Sequence, residues 1–168
     1  MKTKSITQKR VKELLSYDPN TGEFTWIVGR SGTKGKGSVA GKHNQEGYRS
    51  LKIDGVTILS HRLAWLYING SLPNGQIDHI NRIKDDNRII NLREASCSEN
   101  AQNKLNPNAN NKIGMLGVSE IKGRFRAKIK INNIGIHLGY FSNANDAHIE
   151  YLAAKKDVHP FAPKKEAN

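Results

Sequence analysis

Cysteine, acidic side chains and long apolar runs are what this chain has least of, and each shortage closes off a class of protein. The 168 residues include one cysteine, Cys97. Neither an intramolecular disulfide nor a Cys₄ or Cys₂His₂ zinc knuckle can form from it. Cys97 is expected to be a small buried or half-buried residue at a helix start. No stretch approaches membrane-spanning length, and the amino terminus, MKTKSITQKRVK, has no apolar core of the kind a secretion signal needs. A soluble, intracellular protein without membrane contact is expected. The apolar fraction of 36% is low and favours several small modules over one large core.

The acid deficit leaves a formal net charge of +12, from 27 Lys and Arg against 15 Asp and Glu, with a pI near 9.9. Such a balance implies a partner rich in phosphate, bound with release of counterions. The charge is uneven. Residues 1–50 carry ten cations against four acids, 51–111 seven against six, and 112–168 ten against five. A nearly neutral middle is flanked by basic segments.

That middle holds the chemistry. Residues 76–103 read QIDHINRIKDDNRIINLREASCSENAQN. Residues 76–80 form an apolar-flanked strand that delivers Asp78 and His79 side by side, and a polar loop follows. Ile89, Ile90 and Leu92 suggest a second short strand, and 96–103 a helix capped by Ser96 or Ser98. This order can fold back so that Asp78 and Asn100 face one another across a single ion. Phosphodiester hydrolysis needs an activated water and a stabilised leaving oxygen. A neutral imidazole, with a free pKa of about 6.5, suits the general base, which His79 would supply. Hard divalent cations take oxygen ligands, so Asp78 and the amide oxygen of Asn100 suit one Mg²⁺ or Mn²⁺ and would suit Zn²⁺ poorly. Asn91 can bond backbone across the loop and hold the two halves of the site in register.

The segment resembles the HNH, or His-metal (ββα-metal), endonucleases, in the form found in phage-borne and intron-homing enzymes. The resemblance rests on the Asp78-His79 pair, Asp86-Asn87-Arg88, Asn91-Leu92-Arg93 and the Glu-Asn-x-x-Asn of 99–103. It implies Asp78 and Asn100 as metal ligands, His79 as general base and Asn91 as the middle Asn, with Arg88 and Asn103 as possible accessory residues. Asp78 stands where several branches carry His. The implied host is bacterial, with a phage- or prophage-encoded protein in its cytoplasm.

Ahead of this core, Thr7 can cap a helix presenting Val11, Leu14 and Leu15, and 18–22 (DPNTG) is a dense turn signal before a strand at 24–28. The basic glycine-rich stretch 29–42 is either a plain flexible loop or one ordered against phosphates. Strands at 48–53 and 56–59 flank Asp54-Gly55, a two-residue hairpin signal, and a helix at 61–69 offers Leu63, Leu66 and Tyr67 to a core. The region resembles the leading part of phage HNH proteins, including His61-Arg62-Leu63-Ala64-Trp65. His61 is therefore a candidate accessory residue, against the plainer reading of a helix cap or a core histidine.

At the other end 124–131 alternates strictly. Phe125, Ala127, Ile129 and Ile131 fall on one face, Arg124, Arg126, Lys128 and Lys130 on the other. After a turn at Asn132-Asn133, 134–141 returns as a strand with Ile136, Leu138 and Tyr140 alternating, and 115–120 can supply a third. Asn143 with Asp146 opens a helix whose Ala144, Ala147, Tyr151 and Ala154 would pack on the sheet. The basic stripe is either a solvated face or a surface that lies in the DNA major groove. Residues 114–163 resemble the plant ethylene-response-factor (APETALA-type) DNA-binding domain through Gly117-Val118, Gly123-Arg124-Phe125, Leu138-Gly139-Tyr140-Phe141, Ala144 to Ala147 and Ala153-Ala154. The chain departs from that pattern at Phe125 and at Met115-Leu116.

The expected fold is α+β. A helix and hairpins (1–75) precede a ββα-metal core (76–103, nuclease domain about 48–105), then come a polar connector (104–113) and a three-stranded antiparallel sheet on one helix (114–163). The expected function is metal-dependent cleavage of double-stranded DNA by a monomer or dimer. A non-enzymatic DNA-binding regulator on the same fold is the alternative, and charge alone also admits an RNA- or nucleoprotein-binding module.

Overall fold

A computed structural model describes residues 6–29, 35–104, 106–108, 110–131, 133–159 and 161. Residues 30–34 of the glycine-rich stretch, Asn132 of the expected turn, two connector positions (105 and 109) and 160, 162 and 163 of the carboxy-terminal segment lie outside that set. The chain divides into two compact units, 1–95 and 96–168, so the division falls inside the 76–103 segment.

In the first unit, α1 (Gln8–Leu14) begins where the Thr7 side chain accepts from the Arg10 N–H, 3.2 Å. It runs directly into β1 (Leu15–Tyr17), which pairs antiparallel with β2 (Phe24–Trp26). The 18–22 turn joins them. Gly22 sits at φ +77°, and a Cβ there would lie 2.5 Å from the backbone of Asn87 and Arg88. Only glycine lets the turn approach that backbone so closely. β3 (Lys42–His43), β4 (Arg49–Ile53) and β5 (Val56–Leu59) form a second antiparallel sheet in the order β3-β4-β5. Asp54 and Gly55, both at positive φ, make the tight turn between the last two strands. α2 (Ser60–Asn69) follows without a break and ends at left-handed Gly70. Then β6 (Gln76–His79) pairs with β7 (Leu92–Ala95). One core, including Val11, Leu15, Phe24, Trp26, Ile53, Leu63, Ile77 and Leu92, joins these pieces.

The expected strand through Ile89, Ile90 and Leu92 is corrected. Ile89–Asn91 is a single 3₁₀ turn and the strand starts at Leu92. Ile90 is 82% exposed, so the apolar triplet does not mark a half-buried strand. Its turn instead swings the Asn91 side chain inward.

The second unit opens with α3 (Cys97–Gln102), closed at its start by a reciprocal capping box between Ser96 and Glu99. Cys97 is exposed, contrary to expectation. It occupies the first turn of a helix that buries none of its residues. β8 (Val118–Ile121), β9 (Arg124–Ile131) and β10 (Ile134–Phe141) form an antiparallel sheet with β9 central. α4 (Ala144–Val158) is capped by Asn143, whose side-chain oxygen accepts from the Asp146 N–H at 2.9 Å. Ala147 of this helix shares a small core with Val118 and Ala127.

The expected alternation of Ile136, Leu138 and Tyr140 on one face fails because β10 carries a bulge between His137 and Gly139. Ile136 opposes Ile129, but beyond the bulge Tyr140 opposes Arg126 and Phe141 opposes Phe125. Tyr140, 44% exposed, thereby joins the cationic face, and Phe141 turns toward the core. Gly139 sits at φ +147° in the bulge, and a Cβ would press on the Phe141 ring at 3.2 Å.

Candidate active site

Strand pairing sets the centre of the site. In the β6–β7 register Asp78 lies opposite Arg93 and His79 opposite Leu92. The Asp78 Oδ2 accepts from Arg93 Nε at 2.8 Å and pairs with Nη2 at 2.7 Å. Both partners are shielded, Asp78 being buried and Arg93 half-buried, so this pair is screened less than a surface one.

The loop between the strands is stitched by asparagine. Asn91, buried, accepts the Asn81 N–H on its Oδ1 (2.9 Å) and donates its Nδ2 to the Asp86 carbonyl (2.8 Å). Its own carbonyl accepts the Ile80 N–H at 2.9 Å. These bonds tie the start and end of the loop together. Asn81 also donates to the Asp86 carboxylate at 2.6 Å. Arg88 pairs with the same carboxylate, and this bond chiefly holds the Asp86 pKa down at about 2. On the outer side Arg49 grips Asp85 through both carboxylate oxygens (3.0 and 3.1 Å), and His43 Nε2 lies 2.7 Å from it.

His79 is buried, and its Nε2 lies 3.2 Å from Asn87 Oδ1. Two rings close around it. His61, at the start of α2, stands edge-on at a centroid distance of 5.1 Å, and Tyr48 lies 6.0 Å away. Burial pushes the His79 pKa below the ordinary imidazole value, although the Asn87 bond and the Asp78 charge act the other way. His61 is pushed further, to about 4, chiefly by burial and then by the neighbouring His79 and Arg62. Both imidazoles are therefore neutral at pH 7, the state a proton acceptor requires.

The first unit thus brings Asp78, His79, Asn91, His61 and Arg88 into one neighbourhood. Asn100 and Asn103 belong to the second unit. Asn100 is half-buried on α3 with its N–H on the Ser96 carbonyl (2.9 Å), and Asn103 is buried just past the helix end. No group of three or more His, Cys, Asp or Glu suited to a metal occurs among the described residues. In the first unit the Asp78 carboxylate is an oxygen donor of the kind a hard divalent cation takes.

Sequence reasoning assigned no role to Asn87, Arg93, Tyr48 or Asp86. Arg93 could have been found by pairing the strands from His79 and Leu92 outward, since Asp78 then faces it. Asn87 and Asp86 were visible only as part of a motif, with no contact to assign them.

In the second unit Arg124, Arg126, Lys128 and Lys130 share one face of β9, while Ala127 and Ile129 are buried behind it. The Arg124 guanidinium lies 5.6 Å from the centre of the Tyr140 ring and donates to the Tyr140 carbonyl at 3.3 Å. His137 pairs opposite Lys128 and Ser119 opposite Arg126. Glu120, the one acid within the three strands, is in register with Phe125 and so points to the other face.

Comparison with curated proteins and with solved structures gives no match. Residues 59–102, running from the end of β5 through α2, the β6–β7 hairpin and α3, match the family model described as HNH endonuclease, and this stretch carries an HNH endonuclease domain.

Proposed function

We propose that the protein is a metal-dependent DNA endonuclease in which His79 is the general base. The observation that carries this is a buried imidazole, His79, next to Asp78 in sequence at the end of a short hairpin, in a segment that matches the HNH endonucleases. In this reading His79 takes the proton from the attacking water. The resemblance implies Asp78 and Asn100 as the ligands of one Mg²⁺ or Mn²⁺, which when bound would neutralise charge on the scissile phosphate and leaving oxygen. Arg93 holds the Asp78 carboxylate in place through the bonds described above. Asn91 keeps the two ends of the β6–β7 loop together, and Arg88 fixes the loop through Asp86. His61 and Tyr48 cover the His79 ring and keep bulk water from it.

The cationic face of β9 serves in this proposal as a double-stranded DNA surface that sets where the nuclease cuts. Its support is four cations in register, an exposed tyrosine among them, and no acid on that face of the three strands. We also propose, from the resemblance to phage and homing enzymes, that the protein acts in a bacterial cytoplasm. With one base, one monomer would nick, and a double-strand break would need two active sites.

The test is conversion of supercoiled plasmid by wild type and His79→Ala in Mg²⁺, in Mn²⁺ and in EDTA. Metal-dependent nicking or linearisation that His79→Ala abolishes is the expected result. DNA binding without cleavage under any of these conditions would favour the non-enzymatic regulator.

A further inference from the structure

Four described residues other than glycine have a positive φ: Asp54, Arg82, Lys122 and Asn133. Asp54, Lys122 and Asn133 lie in the tight turns of β-hairpins, where the twist of the strands demands that backbone. Arg82, at φ +66°, does not. It lies in the β6–β7 loop, where its N–H donates to the His79 carbonyl at 2.9 Å and closes a turn over 79–82. Left-handed backbone disfavours a long side chain by a factor of about 5–30 in an equilibrium. Glycine escapes that cost and serves at such places elsewhere in the chain, as at Gly22 and Gly70.

No contact within the protein offsets the strain. Asp85 is bonded by Arg49 and lies 2.7 Å from His43, and Asp86 is bonded by Arg88 and Asn81. The loop's acids are thus neutralised by other residues. Of its cations, Lys84 donates to the Glu46 carbonyl at 2.8 Å and covers the Tyr48 ring, while Arg88 holds Asp86. Among the described residues the Arg82 side chain makes no hydrogen bond, ion pair or ring contact, and it is exposed. Ile80 and Ile83 to either side are 45% and 59% exposed, so this segment carries Arg82 clear of the core. One guanidinium is left for an outside partner.

Its place and chemistry define that partner. A guanidinium presents a planar fork of donors that matches the oxygens of a phosphate. The turn keeps Arg82 within about 7 Å of His79, Cα to Cα, and successive phosphates advance only about 3.4 Å along a duplex strand. A cation this near the proposed base falls among the phosphates next to the one that is cut.

We infer that Arg82 grips a backbone phosphate of duplex DNA flanking the scissile one, adding affinity and register but not rate. The inference rests on the nuclease reading for the location of that phosphate; the contact itself requires no cleavage.

The experiment measures affinity of the full chain for a short duplex in EDTA at about 50 to 200 mM salt, together with urea unfolding followed by tryptophan fluorescence. Arg82→Gly is expected to lower the slope of log affinity against log salt by ~0.9, whatever the other cations contribute and alike on unrelated sequences. Its urea midpoint is expected at or above that of wild type, since glycine accepts the backbone without strain. Arg82→Asn, which also tolerates left-handed backbone, should match it, and Arg82→Lys, which keeps the charge, should keep the slope. In plasmid nicking Arg82→Gly is expected to raise KM and leave kcat unchanged, the mark of a lost uniform-binding contact. A wild-type slope in Arg82→Gly and Arg82→Asn would overturn the inference. A lowered urea midpoint in both would also overturn it, by showing that the arginine serves the fold, and a fall in kcat at constant KM would do so by placing Arg82 in the chemistry. Absence of cleavage by wild type would remove the nuclease reading while the salt slopes still decide whether Arg82 meets a phosphate.

Discussion

His61 makes the first unit sensitive to mild acid, and the size of the effect can be worked out. Its pKa is depressed from 6.5 to about 4 in the folded protein, so the unfolded chain binds more protons between these values. Stability is then complete above pH 6.5, falls as the pH drops, and stops falling from this source below pH 4. At pH 5 the unfolded imidazole is almost fully protonated and the folded one hardly at all, a difference of about 2 kcal/mol; the full shift corresponds to about 3 kcal/mol. Against a typical domain stability of roughly 5–15 kcal/mol this is a large fraction. Urea unfolding in EDTA at pH 8 and pH 5 measures it, and tryptophan fluorescence reports on the right part of the molecule, because Trp26 and Trp65 are the only two tryptophans and both lie in the first unit. His79, shifted in the same direction, adds a loss of the same sign. His61→Phe, which removes the titrating group but keeps a ring, is expected to lose about 2 kcal/mol less than wild type between the two pH values. Equal losses in the two proteins would refute the reasoning.

Four further outcomes are expected. Tyr17→Phe leaves the buried Asn87 carbonyl without its donor and should cost about 1–3 kcal/mol in the same unfolding assay. Gly22→Ala combines a strained φ with a Cβ 2.5 Å from backbone and should destabilise the first unit by at least about 2 kcal/mol, with β1 and β2 losing amide-exchange protection together. Ser96→Ala removes the hydroxyl that accepts the Glu99 N–H in the α3 capping box, leaving the Ser96 N–H to Glu99 carboxylate bond in place, and should cost about 1 kcal/mol, read as faster amide exchange across α3. If the four cations of β9 each meet a phosphate, log affinity for duplex DNA should fall by about 3.6 per log unit of salt, and Lys128→Ala should reduce that slope by ~0.9.

What could be read from the sequence was whatever depends on local pattern. The strict alternation of 124–131 located β9 to the residue, since only a strand with one wet and one dry face demands it. Thr7 and Asn143 were legible as caps, and Ser96 as one of two candidates with Ser98, because a capping side chain satisfies its own neighbourhood. What escaped depends on partners distant in the chain. Asn87 meets His79 and Tyr17 from different elements, and no spacing within 76–103 announces a contact 70 residues away. β1 and β3 are three and two residues long, too short to show a period. Ile90 misled because an apolar residue in a polar loop looks like a strand until its turn exposes it. The β10 bulge was hidden for a related reason: alternation predicts faces only while the phase is kept, and a bulge resets the phase without leaving a compositional mark.

That bulge divides the sheet into positions that differ in their tolerance of length changes. The β9–β10 register runs from His137 opposite Lys128 directly to Gly139 opposite Ala127, which leaves Leu138 as a supernumerary residue. Its deletion would leave every cross-strand pair in place, at the loss of one side chain packed on the small core. Loss or gain of a residue in the middle of β9 is a different event. It would exchange the odd and even positions beyond that point, turning Ile129 or Ala127 outward and a lysine or arginine inward. Any chain that shares this sheet should therefore vary in length at 138 and hold constant length through 124–131, a pattern of insertions and deletions dictated by strand parity.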